Sequence, residues 1–184
     1  MMFSSTDIRQ AIADGWLAIE PLEPKCIRPA GITLHLGELL LRPLPGKIVD
    51  IRNKIVPDYE TITFSMERPY RLESGAFVLG STFEKVTVGA NLGFLIEGRS
   101  TLARVGLTIV QTAMLVYPGH RGRAVTLELA NHGPNPILLY PKMKIARAAI
   151  FELKSPSTEL YDDAGKYRKQ TAVGPPIFED EFSG

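Results

Sequence analysis

Cysteine is almost absent from this 184-residue chain, in which Cys26 stands alone. An internal disulfide is therefore excluded. Histidine is scarce too, with only His35, His120 and His132, so the residues of a structural zinc site are lacking. Nor is there an excess of charge of either sign, because 21 Lys and Arg against 20 Asp and Glu leave a formal net charge of +1. No global field draws the protein to nucleic acid or to an anionic membrane, and any anion must be met locally, which points to a small anionic ligand. No apolar run approaches the ~18 residues of a membrane span. "MMFSSTDIRQ" also lacks the basic and apolar regions of an export signal. These absences lead us to expect a reducing, cytoplasmic setting.

What is present reads as one domain over 1–184. The hydrophobic share of 45% and charged share of 22% are those of a globular chain, and the length suffices for one substantial core. One short peripheral helix is expected within 1–15: Ser4 or Ser5 can cap it, Ile8, Ala11 and Ile12 form its apolar stripe, and Gly15 is placed to end it. From Trp16 onward the pattern changes to short apolar runs between turn residues, such as "GITLHLG", "GAFVLGSTFEKVTVG" and "GRAVTLELANHG". Many short strands of this kind predict a mainly β protein, a distorted barrel or double-sheet roll, and the 16 glycines and 14 prolines supply its turns. No repeat of fixed period is found. Residues 161–184 are polar and broken by proline, which predicts a mobile C-terminal tail.

Two places carry chemistry. In "EGRSTLARVG", Ser100 precedes a helix-tolerant run and Gly106 stands where a left-handed stop belongs. The free N–H groups of such a turn, with the Arg99 fork and the Ser100 hydroxyl, make an anion site, and Arg104 falls on the same face four residues later. The same residues equally suit a plain capped turn with an Arg99–Glu97 surface pair. In "GRAVTLELAN" the period of two sets Val125, Leu127 and Leu129 on one face and Ala124, Thr126, Glu128 and Ala130 on the other. Glu128 is then either the polar side of a half-exposed strand or, among small neighbours, a carboxylate in a pocket suited to general acid/base work. His120 and His132 read as solvent-facing turn residues and His35 as a sheet residue. The H-x-E and C-x-x-C ligand pattern of zinc-dependent nucleobase deamination is missing.

Taken together, "GSTFEKVTV", "EGRSTLARVGL", "QTAMLVYPGHRGRAVTLELAN" and "KYRKQ" resemble dCTP deaminases, members of the dUTPase-like superfamily, from roughly Ile32 to Gln170. The resemblance implies a distorted β-roll forming a homotrimer with active sites between subunits. It also implies zinc-free deamination of dCTP to dUTP and ammonia, with Mg2+ accompanying the triphosphate. By position, Glu128 matches the catalytic glutamate, while Ser100 and Arg104 match residues that organise its water and carboxylate. Arg99 and Ser100 match phosphate contacts, and Thr101 is grouped with them as substrate-binding. Thr126 and Leu127 lie where backbone reads the base, and Ala113 where a carbonyl helps hold the water. Tyr161, Lys166 and Gln170 match residues that close over the nucleotide. The resemblance also allows dTTP as an inhibitor.

The chain departs from that pattern at three places. Thr33 and His35 stand where an aspartate and an arginine are usual, a change expected to affect subunit packing. Tyr117 stands where an aspartate contacts the sugar. "GHRGRAVTLE" is one residue longer than usual, which a β-bulge could absorb. The expected function is dCTP deamination to dUTP for thymidylate synthesis. Its alternatives are a dUTP pyrophosphatase or bifunctional enzyme and, in another class, a catalytically silent nucleotide-binding regulator.

Overall fold

Ser4 opens the first helix. In the computed structural model, which describes residues 1–179 and 181–182, α1 spans Ser5–Ala13. The end of the expected tail, at 180 and 183–184, lies outside the described residues. The Ser4 hydroxyl accepts from the Asp7 N–H while the Asp7 carboxylate accepts from the Ser4 N–H at 2.8 Å. Two donors that a helix start leaves open are thus satisfied reciprocally. One expectation changes: α1 is not peripheral, since Ile8 and Ala11 are buried in the main core. The Phe3 N–H donates to Ile150 O at 2.8 Å, which ties the segment before the helix onto a central strand.

The apolar runs form strands, and the fold is mainly β as expected. In chain order they are β1 (Leu17–Glu20), β2 (Ile27–Arg28), β3 (Gly31–His35), β4 (Leu39–Pro43), β5 (Tyr59–Thr63), β6 (Tyr70–Leu72) and β7 (Phe77–Val88). There follow β8 (Leu92–Glu97), β9 (Leu107–Thr108), β10 (Leu115–Val116), β11 (Arg123–Asn131), β12 (Ile137–Leu139) and β13 (Lys144–Glu152), with short helical turns α2 (Ser100–Ala103) and α3 (Tyr161–Ala164). One sheet runs β5-β4-β7-β11-β9 with β1 on β7, a second runs β10-β8-β13-β3-β2, and β12 pairs with β6. Among the described residues these strands pair antiparallel. The inner faces of the two large sheets supply the core: Val78, Leu127 and Leu129 from one, Leu34, Phe94, Ile96, Ala148 and Ile150 from the other. Packing two apolar sheet faces is the stable way to bury period-two strands.

The long β7–β11 pair positions the site. Its register breaks between Ala124↔Lys85 and Thr126↔Ser81, where β7 has three residues against one on β11. The irregularity therefore adds residues to β7 rather than to β11, unlike the bulge expected from the length of "GHRGRAVTLE". The Thr82 hydroxyl stitches it, accepting from the Val125 N–H at 2.9 Å and donating to Glu84 O at 2.7 Å. The surplus is two, an even number, so alternation along the strands survives it.

His35 lies on a strand as expected, and the structure explains what it does there. Its backbone N–H donates to Glu84 Oε2 at 2.9 Å and its ring Nδ1 lies 2.5 Å from Glu84 Oε1, with Glu84 only 3% exposed. Both carboxylate oxygens are thus held by one residue. Removing the ring would leave a buried carboxylate short of a partner. His35→Ala is expected to cost about 3 kcal/mol, the lower end for breaking a buried pair. Denaturant unfolding of the two proteins checks it, and a loss near zero would show that the pair does not stabilise the fold.

Candidate active site

The corner expected between Gly98 and Gly106 forms, with one shift. Ser100 is the first helical residue of α2 rather than its cap, and Arg99 takes the capping position without a side-chain cap bond. The Leu102 and Ala103 N–H groups donate to Arg99 O instead, each at 2.9 Å. Gly106 closes the turn at φ +87° against the Gly133 backbone, where a side chain would not fit. Ser100, Thr101 and Arg104 are exposed on this corner. Arg99 is half-buried, and its Nη1 is buried without a hydrogen-bond partner.

Glu128 sits as the alternation predicts. Leu127 and Leu129 are fully buried, while Glu128 is half-buried on the opposite face, across from Leu79 on β7. The Gln111 N–H donates to Glu128 Oε2 at 3.0 Å, and the Gln111 amide reaches Glu128 O at 3.5 Å. Ala113, two residues on, is exposed on the same connecting stretch. Among the described residues, no side-chain hydrogen bond or ion pair joins Glu128 to Ser100 or Arg104. Within one copy of the chain the carboxylate and the serine–arginine corner are not bonded to each other.

The tail lies against the body of the chain. Tyr161 is half-buried with its ring stacked on Tyr117, centroids 6.0 Å apart and planes 2° from parallel. Arg123 grips Asp162 through both guanidinium nitrogens, Nη1 to Oδ2 at 3.1 Å and Nη2 to Oδ1. Farther along, the Gln170 amide donates to the Thr126 hydroxyl at 3.3 Å, two residues before Glu128. Lys166 Nζ donates to Glu181 Oε1 at 2.5 Å. Residues 171–173 complete a cleft of about 220 Å³ against Ser81, Phe83 and Ala124. The structure thus brings Tyr117 to Tyr161 and Thr126 to Gln170, whereas among the described residues no side-chain hydrogen bond joins Arg99, Ser100, Thr101 or Arg104 to either pair.

His120 is a correction. Expected in solvent, it is 8% exposed, with Nδ1 2.9 Å from Val86 O and its ring 6.0 Å from that of Tyr161. The turn "YPGHRG" folds back onto β7 because the Val88 N–H donates to His120 O and the Gly119 N–H to Val88 O, each at 2.8 Å. Burial pushes the His120 pKa down, and the Arg123 cation adds to that shift.

The family model described as dCTP deaminase-like matches residues 2–153. The chain belongs to the dCTP deaminase-like family. A "dCTP deaminase, dUMP-forming" of Corynebacterium diphtheriae is 37% identical over 180 residues, covering 95% of this chain and 96% of its own. A "dCTP deaminase" of Natronomonas pharaonis is 38% identical over 179 residues, covering 93% and 91%. The crystal structure of 2'-deoxycytidine 5'-triphosphate deaminase from Agrobacterium tumefaciens shares the fold, with a TM-score of 0.62 at 16% identity. That match covers 81% of this chain and 47% of the longer Agrobacterium chain.

Within this dCTP deaminase-like chain, sequence reasoning missed Gln111, Arg123 and Asp162. Gln111 acts on Glu128 through backbone, which no residue type announces. Arg123 and Asp162 lie 39 residues apart, and only the adjacency of Asp162 to Tyr161 hinted at a role. Among the described residues no group of three or more His, Cys, Asp and Glu could hold a metal ion, and no helix is long and apolar enough to cross a membrane.

The hydrogen bonds from Arg123 hold the Asp162 carboxyl below its ordinary pKa. Because its folded value lies below the unfolded one, the contact contributes stability above about pH 4 and loses it as the pH falls through the folded value. A carboxyl-carbon NMR titration should therefore place the Asp162 midpoint below about 3.9, the unperturbed value. Arg123→Ala should move it up toward that value. An unchanged midpoint in the variant would show that Arg123 is not the cause.

Proposed function

We propose that the protein hydrolytically deaminates dCTP, with Glu128 as proton relay. The observation that supports this reading is a half-buried carboxylate fixed by the Gln111 N–H on β11, in a dCTP deaminase-like chain whose relatives carry that activity in their names. Cytosine C4 is a poor electrophile, so a water must be deprotonated as it attacks while N3 gains a proton. Glu128 takes the first proton from water and delivers it to N3 as the C4–O bond forms. It then moves the second hydroxyl proton to the amine, the C4–N bond breaks, and ammonia leaves a C4 carbonyl behind. Such relay is worth ~10²–10⁴ in rate.

On this reading Ser100 places the water, Arg104 orients the carboxylate, and Ala113 O holds the water from the other side. The Thr126 and Leu127 backbone reads the base. Arg99 and Thr101 meet phosphate, the Arg99 guanidinium as a planar cationic fork at the α2 corner. Tyr161, Lys166 and Gln170 close over the nucleotide. Ser100 and Arg104 are not bonded to Glu128 within one chain, which supports a site completed by a second copy, and a homotrimer is the proposed assembly. The exposed Val105, Met114 and Leu115 flank this corner and offer apolar surface to be covered. On the same reading Mg2+ arrives on the triphosphate and zinc takes no part, in keeping with a sequence of one cysteine and three histidines. A cytoplasmic location and inhibition by dTTP belong to the same proposal.

The product follows from Tyr117. A phenol does not activate water for attack on phosphorus as a carboxylate can, and the nearby Asp162 carboxylate is engaged by Arg123, so dUTP should leave with its triphosphate intact. A second reading, release of dUMP and pyrophosphate, is favoured by the names of relatives such as those of Corynebacterium diphtheriae and Halobacterium salinarum.

Glu128→Gln should keep nucleotide binding yet lose at least ~10²-fold in ammonia release, because an amide cannot relay protons. Ser100→Ala should also be impaired. Coexpressed, the two variants should recover about a quarter of the wild-type rate, since random assembly gives that share of intact two-chain sites. No recovery would place each site within one chain. Bound dCTP with no ammonia from the wild type would instead favour the silent nucleotide-binding regulator.

Chromatography of the products from dCTP decides the second question. The expected result is dUTP equal to the ammonia formed, without pyrophosphate. Matching amounts of dUMP and pyrophosphate would establish the dUMP-forming reading. CTP should be the poorer substrate, because the Tyr117 ring presents an apolar face to the sugar.

A further inference from the structure

The segment that would close over the nucleotide begins at Tyr161, and its first two residues are held by four groups of the body. Tyr117 stacks on the Tyr161 ring, and Arg123 Cζ lies 5.9 Å from the ring centre. His120 lies tilted beside it, and the Tyr161 N–H donates to Pro118 O at 2.8 Å. Arg123 then holds Asp162 in a two-point contact, their side chains only 14% and 21% exposed. The approach is close enough that Gly119, at φ +81°, could not carry a side chain without meeting Leu160 Cβ at 2.5 Å. This anchorage continues into the segment. The Tyr161 hydroxyl accepts from the Tyr167 N–H, the Tyr167 hydroxyl accepts from the Ile177 N–H, and Gln170 reaches Thr126.

We propose that Arg123 and Asp162, with Tyr117 stacked on Tyr161, form a positioning clasp that seats the C-terminal segment on the protein before any nucleotide is bound. The proposal rests on the deaminase reading for its consequence but not for its geometry. A two-point ion pair shielded by a stacked aromatic pair resists solvent better than a lone surface pair. None of the four groups touches the reacting atoms. They act through Lys166 and Gln170, whose positions depend on where the segment starts. If breaking the clasp left the segment seated about one tenth of the time, the apparent KM for dCTP would rise about tenfold with kcat little changed, since only the seated fraction binds productively. Tyr117 would then serve the segment as well as the sugar.

The test is hydrogen–deuterium exchange of the nucleotide-free full chain, followed over 161–177, together with ammonia-release kinetics. The wild type should protect the amides of Gly165, Tyr167 and Ile177, which donate within the segment. Arg123→Ala and Asp162→Asn should each lose that protection while the amides of β7 and β11 keep theirs. The double variant should exchange no faster than either single one, the mark of a shared contact. In the kinetics the same variants should raise KM about tenfold and leave kcat within about twofold. Exchange of the wild-type segment at unprotected rates would overturn the clasp, as would single-variant effects that simply add. If Arg123→Ala does not fold, Asp162→Asn alone carries the test, because it keeps the shape and removes the charge. Protection that behaves as expected in a protein releasing no ammonia would leave the clasp standing and remove the deaminase reading instead.

Discussion

Burial of Leu127 and Leu129 is the constraint on which the rest depends. Successive side chains of a strand point to opposite faces, so once these two leucines are sealed in the core, Thr126 and Glu128 must face outward. The core thereby sets the carboxylate's direction without any contact made for that purpose. Its location along the strand is set by the pairing with β7, where Glu128 faces Leu79 and Thr126 faces Ser81. A slip of one residue would bury Glu128 and expose the leucines, an exchange too costly to occur. The irregularity in β7 stays harmless because its surplus is even. One strand consequently carries Arg123, Thr126 and Glu128 at fixed separations, and with them the clasp, the seat of Gln170 and the proposed relay.

Charge is handled by the same economy of placement. With a net charge near zero, the protein lacks a long-range pull on a triphosphate. On the proposed reading, binding strength comes from donors met locally, among them the arginine of the α2 corner. Where charge is instead structural, it is matched two-fold. Glu84 is satisfied on both oxygens by His35, and Asp162 on both by Arg123.

Much of this was legible in the sequence, for reasons that differ by element. The first helix, the α2 corner and the orientation of Glu128 are local properties: a capping serine, a glycine stop and a period of two are written within a few residues. The strand-rich class followed from the spacing of apolar runs. What the sequence did not reveal was non-local or carried by backbone. His120 looked exposed because it sits in a glycine-flanked turn, but that turn lies back on β7 through main-chain bonds. The hold of Gln111 on Glu128 is also a main-chain bond. The β7 irregularity was not foreseen, because a length difference in "GHRGRAVTLE" says nothing about the strand that β11 pairs with. α1 was read as peripheral from a narrow stripe, whereas two fully packed residues, Ile8 and Ala11, suffice to make a short helix part of the core.

Tyr117 shows how one exchange can alter two properties at once. On the proposed reading, a ring where the resemblance implies a carboxylate lacks the group able to activate water near phosphorus, and this ring is the stacking partner of Tyr161. These consequences reinforce each other on the proposed reading. Ordering a free segment costs roughly 1–2 kcal/mol per residue in backbone entropy, which a nucleotide must otherwise supply from its own contacts. A segment already seated by Tyr117 and Arg123 leaves more of that contact energy for holding the triphosphate. An enzyme that only deaminates gains from holding the triphosphate whole, since its phosphates serve as a handle and not as a reaction centre. If dUTP is the product, the ring at 117 and the ion pair six residues later are better understood as one adaptation than as two.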